Sequence, residues 1–172
     1  GKVRHIKIAN AYGTAIFYGD FVKIVAAGTV EKAAVTTSVV AGTVGIFMGC
    51  SYTDPNTNQL TFNQQFIAST AADDIMAYVC DDPKLLFRMQ GDEAIAQTGL
   101  GNNISAVNTA GSTSIGRSKN ALDGGSIATT NTLPLRVVDF VDGPSSAVGD
   151  AFTDCIVTYL PLSHAYETKL GV

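Results

Sequence analysis

Charged residues are scarce in this sequence: they make up 15% of its 172 residues, against roughly 25% in an ordinary soluble domain. Because low charge removes the repulsion that keeps copies apart, this composition favours a protein that works in a permanent assembly. The alternative, a Gly- and Thr-rich β protein that is simply neutral, stays open. The net charge is −4 and the 11 basic residues are scattered, a pattern that argues against a nucleic-acid partner.

Long hydrophobic runs are also missing. The longest cover residues 21–27 and 44–50, far short of the roughly 20 residues that a helix needs to cross a bilayer. No signal-peptide pattern opens the sequence. We therefore expect neither a membrane partner nor secretion.

The side chains that most often carry catalysis are few, with two histidines, three cysteines and no tryptophan. His5 and His164 lie near opposite ends, with no activated-serine motif between them. Each cysteine lies inside an apolar run, as expected for buried free thiols of a protein made in a reducing cytoplasm. A disulfide with one spare thiol is the alternative.

The acidic residues form no catalytic or metal-binding pattern. The pairs at 73–74 and 81–82 are adjacent in sequence, so on a strand they point to opposite faces and cannot flank one bond. We interpret them as solvated turn residues. Asp54, Asn56 and Asn58 have the spacing that begins a calcium loop, but Pro55 interrupts it and the required glycine and glutamate are absent. These observations predict no enzyme activity, no cofactor and no metal.

What the sequence does contain is a strand–turn–strand rhythm, centred on residues 41–65. The apolar run 44–50 is rich in β-branched and aromatic residues and predicts a strand buried on both faces. The turn formers that follow it, at 52–58, lead to alternating Leu60, Phe62 and Gln64, which predicts a β-hairpin.

Further strand pairs are predicted along the chain. They join 12–18 to 21–25, 75–80 to 85–90, and 133–141 to 152–160. The rhythm predicts an all-β fold, an antiparallel β-barrel or sandwich, with residues 1–172 forming one domain.

Three segments depart from that rhythm and are our candidates for contact with neighbours. They are a basic N-terminal arm at 1–12, a long irregular insertion at 91–132 and a C-terminal tail at 161–172. For the arm, an ordinary edge strand protected by lysine is the alternative. The predicted contact residues are Lys2, Arg4, Lys7, Leu100, Asn102, Asn103, Arg117 and Lys119.

Several segments resemble a family of small structural proteins of tailed phages, the capsid decoration or cement proteins. They read GIFMGCSYTDP at 45–55, AYVCDDP at 77–83, LDGGSIATT at 122–130 with LPLRV at 133–137, and HAY at 164–166. The similarity is one of overall pattern along most of the chain.

The resemblance implies a non-enzymatic β-barrel protein that is made in the host cytoplasm and stabilises the outside of an icosahedral capsid. Its partners would be the major capsid protein and further copies of itself, as a dimer or trimer. The family pattern assigns no individual contact residue. The alternative from another class is a carbohydrate-binding β-module of a phage fibre or receptor-binding protein, although such sites normally use exposed aromatic residues and this sequence has no tryptophan.

Overall fold

A computed structural model describes residues 2–36, 42–168 and 171. Within this part the chain forms eleven strands and two short 3₁₀ helices. The strands are β1 Val3–Lys7, β2 Phe21–Ile24, β3 Val30–Lys32, β4 Thr43–Thr53, β5 Leu60–Asn63, β6 Met76–Cys80, β7 Phe87–Gln90, β8 Asn103–Val107, β9 Ala121–Ala128, β10 Leu135–Phe140 and β11 Asp154–Tyr159. The 3₁₀ helices are Gln97–Gly99 and Pro161–Ser163.

The strands form two antiparallel sheets. The first has the order β1-β6-β4-β2-β3, with β5 also paired to β4, and the second has the order β7-β11-β10-β8-β9. A single bridge between Ile8 and Val30 links the two outer strands of the first sheet at one end. The all-β fold predicted from the sequence is confirmed as a sandwich-like pair of sheets, without a closed barrel.

Two hydrophobic cores meet at the centre of the first sheet. On β4, Val44 and Phe47 belong to the first core, while Ile46 packs against the second. On β2, Phe21 lies in the second core and its neighbour Val22 in the first, because successive residues of a strand point to opposite faces. The prediction that β4 is buried on both faces is confirmed.

A glycine permits the close approach of β4 and β6. A Cβ atom at Gly45 would lie 2.0 Å from the carbonyl oxygen of Cys80, and the φ angle of Gly45 is +156°. Any side chain here would have to push the two backbones apart, so the spacing of the central strands depends on this residue.

Two of the predicted hairpins are confirmed. β5 returns along β4, with Leu60 opposite Thr53, and β10 pairs antiparallel with β11. The three cysteines are buried and free, as predicted. Burial raises the pKa of the Cys50 thiol to about 12 and that of the Cys155 thiol to about 11.

The prediction of a hairpin between 75–80 and 85–90 is wrong. β6 pairs with β1 on one side and β4 on the other, so no edge is left for a returning strand. The chain therefore crosses to the second sheet, where β7 pairs with β11.

The predicted pairing of 12–18 with 21–25 is also wrong. Residues 12–18 form no regular strand; Ile16 makes an isolated bridge to Phe66, and β2 pairs instead with β3 and β4.

The segment 91–132 is only partly the irregular insertion that the sequence predicted. It contains β8 and β9, which are paired strands of the second sheet. Its widely spaced apolar residues Ile95, Ile104 and Leu122 are fully buried in the second core. The segment is therefore part of the body of the domain, and its longest irregular stretch is the loop between β8 and β9.

Both terminal segments pack on the body in their described parts. Residues 3–7 form β1, an outer strand paired with β6, which is the edge-strand alternative to a free arm. His164 of the predicted tail is fully buried, and the backbone N–H of Ala165 donates to the Thr43 carbonyl at 2.7 Å. No helix in the described ranges is long and apolar enough to cross a membrane.

Candidate contact surface

A buried carboxylate fixes the loop between β8 and β9. Asp20 is fully buried and its Oδ1 accepts hydrogen bonds from the Ser118 hydroxyl at 2.6 Å and the Asn120 amide at 3.3 Å. Its Oδ2 accepts from the Phe17 backbone N–H at 2.9 Å and forms an ion pair with Lys32 Nζ at 2.9 Å. The loop is thereby tied to the first sheet.

This attachment decides which side chains of the loop face outward. Ser118 and Asn120 point toward Asp20, so the alternate residues Arg117 and Lys119 are exposed. The backbone on each side is held as well, because the Tyr18 N–H donates to the Gly116 carbonyl at 3.0 Å. The structure thus places two of the predicted contact residues on a fixed, solvent-facing loop.

The same loop is joined to the segment that follows β5. The side-chain amide of Gln64 donates to the Ile115 carbonyl, and that of Gln65 donates to the Thr113 carbonyl at 3.2 Å. Side-chain amides therefore connect the segment after β5 to the loop between β8 and β9.

Three apolar side chains on β5 and on the loop between β8 and β9 are strongly exposed. Phe62, Leu60 and Ile115 are 68%, 62% and 60% exposed, the highest values among the large hydrophobic residues in the part of the chain that the structure describes. Leu60 and Phe62 are two positions apart on β5 and so share one face. The hydrogen bond from Gln64 to the Ile115 carbonyl connects the end of β5 to the loop. On this basis we group the three apolar residues with Tyr18, 39% exposed, and the loop cations Arg117 and Lys119, and call the group the contact surface.

The contact surface has the composition of a protein interface. Contiguous exposed apolar side chains on a soluble protein mark places where another molecule binds, and interfaces combine an apolar centre with a polar rim. Because the surrounding loop and strand are cross-linked by hydrogen bonds, little conformational entropy would be lost when a partner binds.

The remaining predicted contact residues lie elsewhere. On β1, Arg4 lies on the opposite face from Lys7, since alternate residues of a strand point apart. Lys2 and Arg4 line a cavity of about 220 Å³, whereas Lys7 is opposite Met76 at the other end of β1. The predicted basic arm is thus divided between two faces.

Leu100, Asn102 and Asn103 are not brought to the contact surface. They lie at the start of β8, whereas Arg117 and Lys119 precede its pairing partner at the other end, a separation of roughly 13 Å along the strand. Leu100 is 45% exposed. Asn103, also predicted as a contact residue, is 4% exposed, and its amide donates to the Thr130 carbonyl at 2.8 Å.

A polar cluster at the N-terminal strand was not predicted. Asp81 is 3% exposed; its Oδ2 forms an ion pair with Arg4 Nε at 2.8 Å and accepts the Tyr166 hydroxyl at 2.9 Å. The interpretation of Asp81 as a solvated turn residue is therefore wrong. Burial and the bonded carboxylate raise the pKa of Tyr166 to about 12. The cluster joins the two ends of the described chain.

Next to this cluster is a buried histidine. The His164 ring is fully buried, and its Nε2 has no hydrogen-bond partner within the described residues. Its ring contacts those of Tyr159 and Tyr166, with centroids 5.4 and 5.1 Å apart. Burial lowers the pKa of His164 below its ordinary value, although the backbone of Val44 and then the charges of Glu167 and Asp81 act in the opposite direction.

Asp54 and a group of three further carboxylates lie at other places in the domain. Asp54 Oδ1 accepts the Asn56 backbone N–H at 2.7 Å and so closes the β4–β5 turn. Carboxylate oxygens of Asp92, Glu93 and Asp123 lie within 4.8 Å of one another, an arrangement able to hold a divalent cation. Residues 92–93 and 123 are far apart in sequence, which is why no spacing motif could reveal this group.

Comparison with known proteins gives no relative: no protein-family model, no curated protein and no solved structure matches this chain.

Proposed function

We propose that this protein is a virion structural component, a decoration protein that binds the outer surface of a phage icosahedral capsid and stabilises it. Its partners are the major capsid protein and further copies of the same chain, and its location is the capsid exterior. The observation that carries the proposal is the contact surface: the most exposed large apolar side chains of the described residues lie on β5 and on the hydrogen-bonded loop that carries two exposed cations.

The chemistry of the contact surface fits a partner that is itself a large, repetitive protein surface. Leu60 and Phe62 offer apolar area, while Arg117 and Lys119 favour acidic groups on the partner. A single such patch gives modest affinity, but a shell presents the same site many times. Contacts among bound copies would then raise the effective affinity without any further contact to the shell.

The low overall charge supports the same function. With 15% charged residues, neighbouring copies repel one another weakly and can be packed side by side. A protein that covers a shell in many copies needs this property, whereas a freely diffusing monomer at high concentration is disadvantaged by it.

The proposal is tested with purified heads that lack the chain. Wild-type protein is added, unbound protein is removed by sedimentation, and the temperature of DNA release is measured. We expect saturable binding and a higher release temperature. Absence of binding, or binding with an unchanged release temperature, contradicts the proposal.

The contact surface itself is tested by replacing Leu60 and Phe62 with alanine together. Full burial of such a side chain contributes about 1.5–3 kcal/mol. Since Leu60 is 62% and Phe62 68% exposed, roughly two-thirds of that is available to a partner, or about 2–4 kcal/mol for both. This corresponds to a loss of affinity of roughly 30- to 1,000-fold.

A matched control separates this effect from a general loss of apolar surface. Phe152 and Leu86 are 59% and 57% exposed and lie outside the contact surface. Their double alanine variant should bind like the wild type. Equal weakening by both double variants would show that the contact surface has no special role.

A carbohydrate-binding module is the alternative. Stacking on a sugar face requires an exposed aromatic ring, and Phe62 and Phe152 are the most exposed rings among the described residues. Saturable binding on a glycan array, abolished by Phe62→Ala or Phe152→Ala, would favour this alternative over the capsid.

A further inference from the structure

A small cavity lies at the outer face of the second sheet, away from the contact surface. It has a volume of about 240 Å³ and is lined by Asn103, Asn131, Arg136, Leu160, Pro161 and Leu162. Pockets for drug-sized ligands usually measure roughly 300–1,000 Å³. The volume therefore suits a smaller molecule.

The cavity contains one oriented cation. Arg136 Nε donates to Asn103 Oδ1 at 3.0 Å, and Asn103 is itself held by its bond to the Thr130 carbonyl. Because Asn103 is 4% exposed, this support is rigid. It anchors the Nε side of the exposed guanidinium and leaves both terminal amino groups of Arg136 without a protein acceptor among the described residues.

Arg136 differs in this respect from two other arginines of the chain. Arg4 forms an ion pair with Asp81, and Arg88 forms one with Asp154. No carboxylate in the described ranges pairs with Arg136. A guanidinium with two free parallel N–H donors is suited to bidentate binding of a carboxylate.

Apart from Asn131, the other walls of the cavity are apolar. Leu160 directly follows β11. The 3₁₀ helix Pro161–Ser163 comes next and places Pro161 and Leu162 at the rim of the cavity. Leu162 is 55% exposed, although it lies in a segment whose neighbours Ser163 and His164 are buried. An aliphatic acid complements this combination, because its carboxylate can bind the unpaired arginine while its apolar chain packs against the exposed leucine.

We propose that this cavity binds a small aliphatic monocarboxylate. The carboxylate forms two hydrogen bonds with the terminal amino groups of Arg136, and the aliphatic chain lies against Leu160, Pro161 and Leu162. An exposed ion pair alone contributes little, so the apolar chain is needed for measurable affinity. Each buried methylene group raises affinity roughly fourfold. The inference does not depend on the proposed function.

The test uses hexanoate as the probe and the full chain labelled with ¹⁵N. Hexanoate should shift the backbone amide signals of residues around 103, 136 and 160–162 in a saturable way. Acetate, which lacks the apolar chain, and hexanamide, which lacks the charge, should each bind at least tenfold more weakly. Equal affinity for hexanoate and hexanamide, or shifts confined to other regions, would overturn the proposal.

Variants provide the second arm. Arg136→Gln should weaken hexanoate binding at least tenfold, whereas Lys84→Gln, at an exposed cation outside both the cavity and the contact surface, should leave it unchanged. If loss of the Asn103 contact prevents Arg136→Gln from folding, Leu162→Gln replaces it, because an exposed side chain can be changed without disturbing the core. Leu162→Gln should reduce the affinity for hexanoate toward that for acetate, and an unaltered affinity would refute the site.

Discussion

The buried carboxylate of Asp20 provides the sharpest prediction for stability. Its two oxygens serve four partners: the Lys32 ammonium, the Phe17 N–H, the Ser118 hydroxyl and the Asn120 amide. Replacement of Asp20 by alanine leaves the Lys32 ammonium, whose side chain is 18% exposed, without its counter-ion. It also releases the loop between β8 and β9.

The expected cost follows from the burial of the pair. Breaking a buried ion pair by removing one partner typically costs about 3–5 kcal/mol, a large fraction of the roughly 5–15 kcal/mol that stabilises a domain. For a chain of this size, 1 kcal/mol lowers Tm by about 2–4 °C. We therefore expect Asp20→Ala to lower Tm by roughly 6–20 °C.

The measurement is urea unfolding of Asp20→Ala beside the wild type and the double variant Asp20→Ala, Lys32→Met. Because Lys32→Met removes the positive charge that Asp20→Ala leaves without a counter-ion, the double variant should be more stable than Asp20→Ala alone. A loss below about 1 kcal/mol in Asp20→Ala, or no recovery in the double variant, would refute the reasoning that Asp20 is the electrostatic support of the loop.

Three further predictions concern a glycine, a histidine and the contact surface. Gly45→Ala should lower the free energy of unfolding by more than about 2 kcal/mol through overpacking against β6, whereas Gly13→Ala, where a Cβ meets nothing within 4 Å, should change it by under about 1 kcal/mol in chemical denaturation. Burial lowers the pKa of His164 below its ordinary value of 6.5, so neutral His164 contributes fully to stability above pH 6.5 and this contribution is lost as the pH falls below 6.5. The Tm of the wild type should therefore drop between pH 7.5 and pH 5.5, and the Tm of His164→Phe should drop less. Replacement of Leu60 and Phe62 by alanine should leave Tm nearly unchanged, since both are exposed, and a large drop would mean that these residues hold the fold rather than contact a partner.

The strands with strong apolar character were predictable from the sequence, because β-branched residues pack well on the pleated surface of a sheet and are enriched there. β4 and the pair β10–β11 belong to this group. Their pairing with the next strand was predictable from the turn formers that follow β4 and β10. It failed between β6 and β7, since nothing local indicates that both edges of β6 are occupied by β1 and β4.

The strands β8 and β9 were missed for a different reason. β9 contains Gly124 and Gly125 within its eight residues, and glycines inside a strand weaken its pattern. β8 does alternate polar Asn103 and Ser105 with apolar Ile104 and Ala106, but this short alternation lies in a segment dominated by Gly, Ser, Asn and Thr. Their stability comes from tertiary partners. The Ser105 N–H donates to the Ser126 hydroxyl at 2.9 Å, a contact that no local sequence signal predicts.

The contact surface was half predictable. Arg117 and Lys119 were identified as cations in a Gly- and Ser-rich segment. Leu60 and Phe62 were recognised as alternating strand residues, but alternation alone does not tell which face meets solvent. That face became known only when β5 was placed at an edge of the first sheet, with the loop around Ile115 beside it.

The proposed decoration of a phage capsid can be examined directly by cryo-electron microscopy of virus particles from cells that produce this chain. The account predicts density for the two-sheet body at symmetry-equivalent positions on the capsid exterior, with the contact surface facing the shell or a neighbouring copy. Capsids with bare exteriors, in preparations where the chain is produced but remains in the soluble fraction, would contradict it.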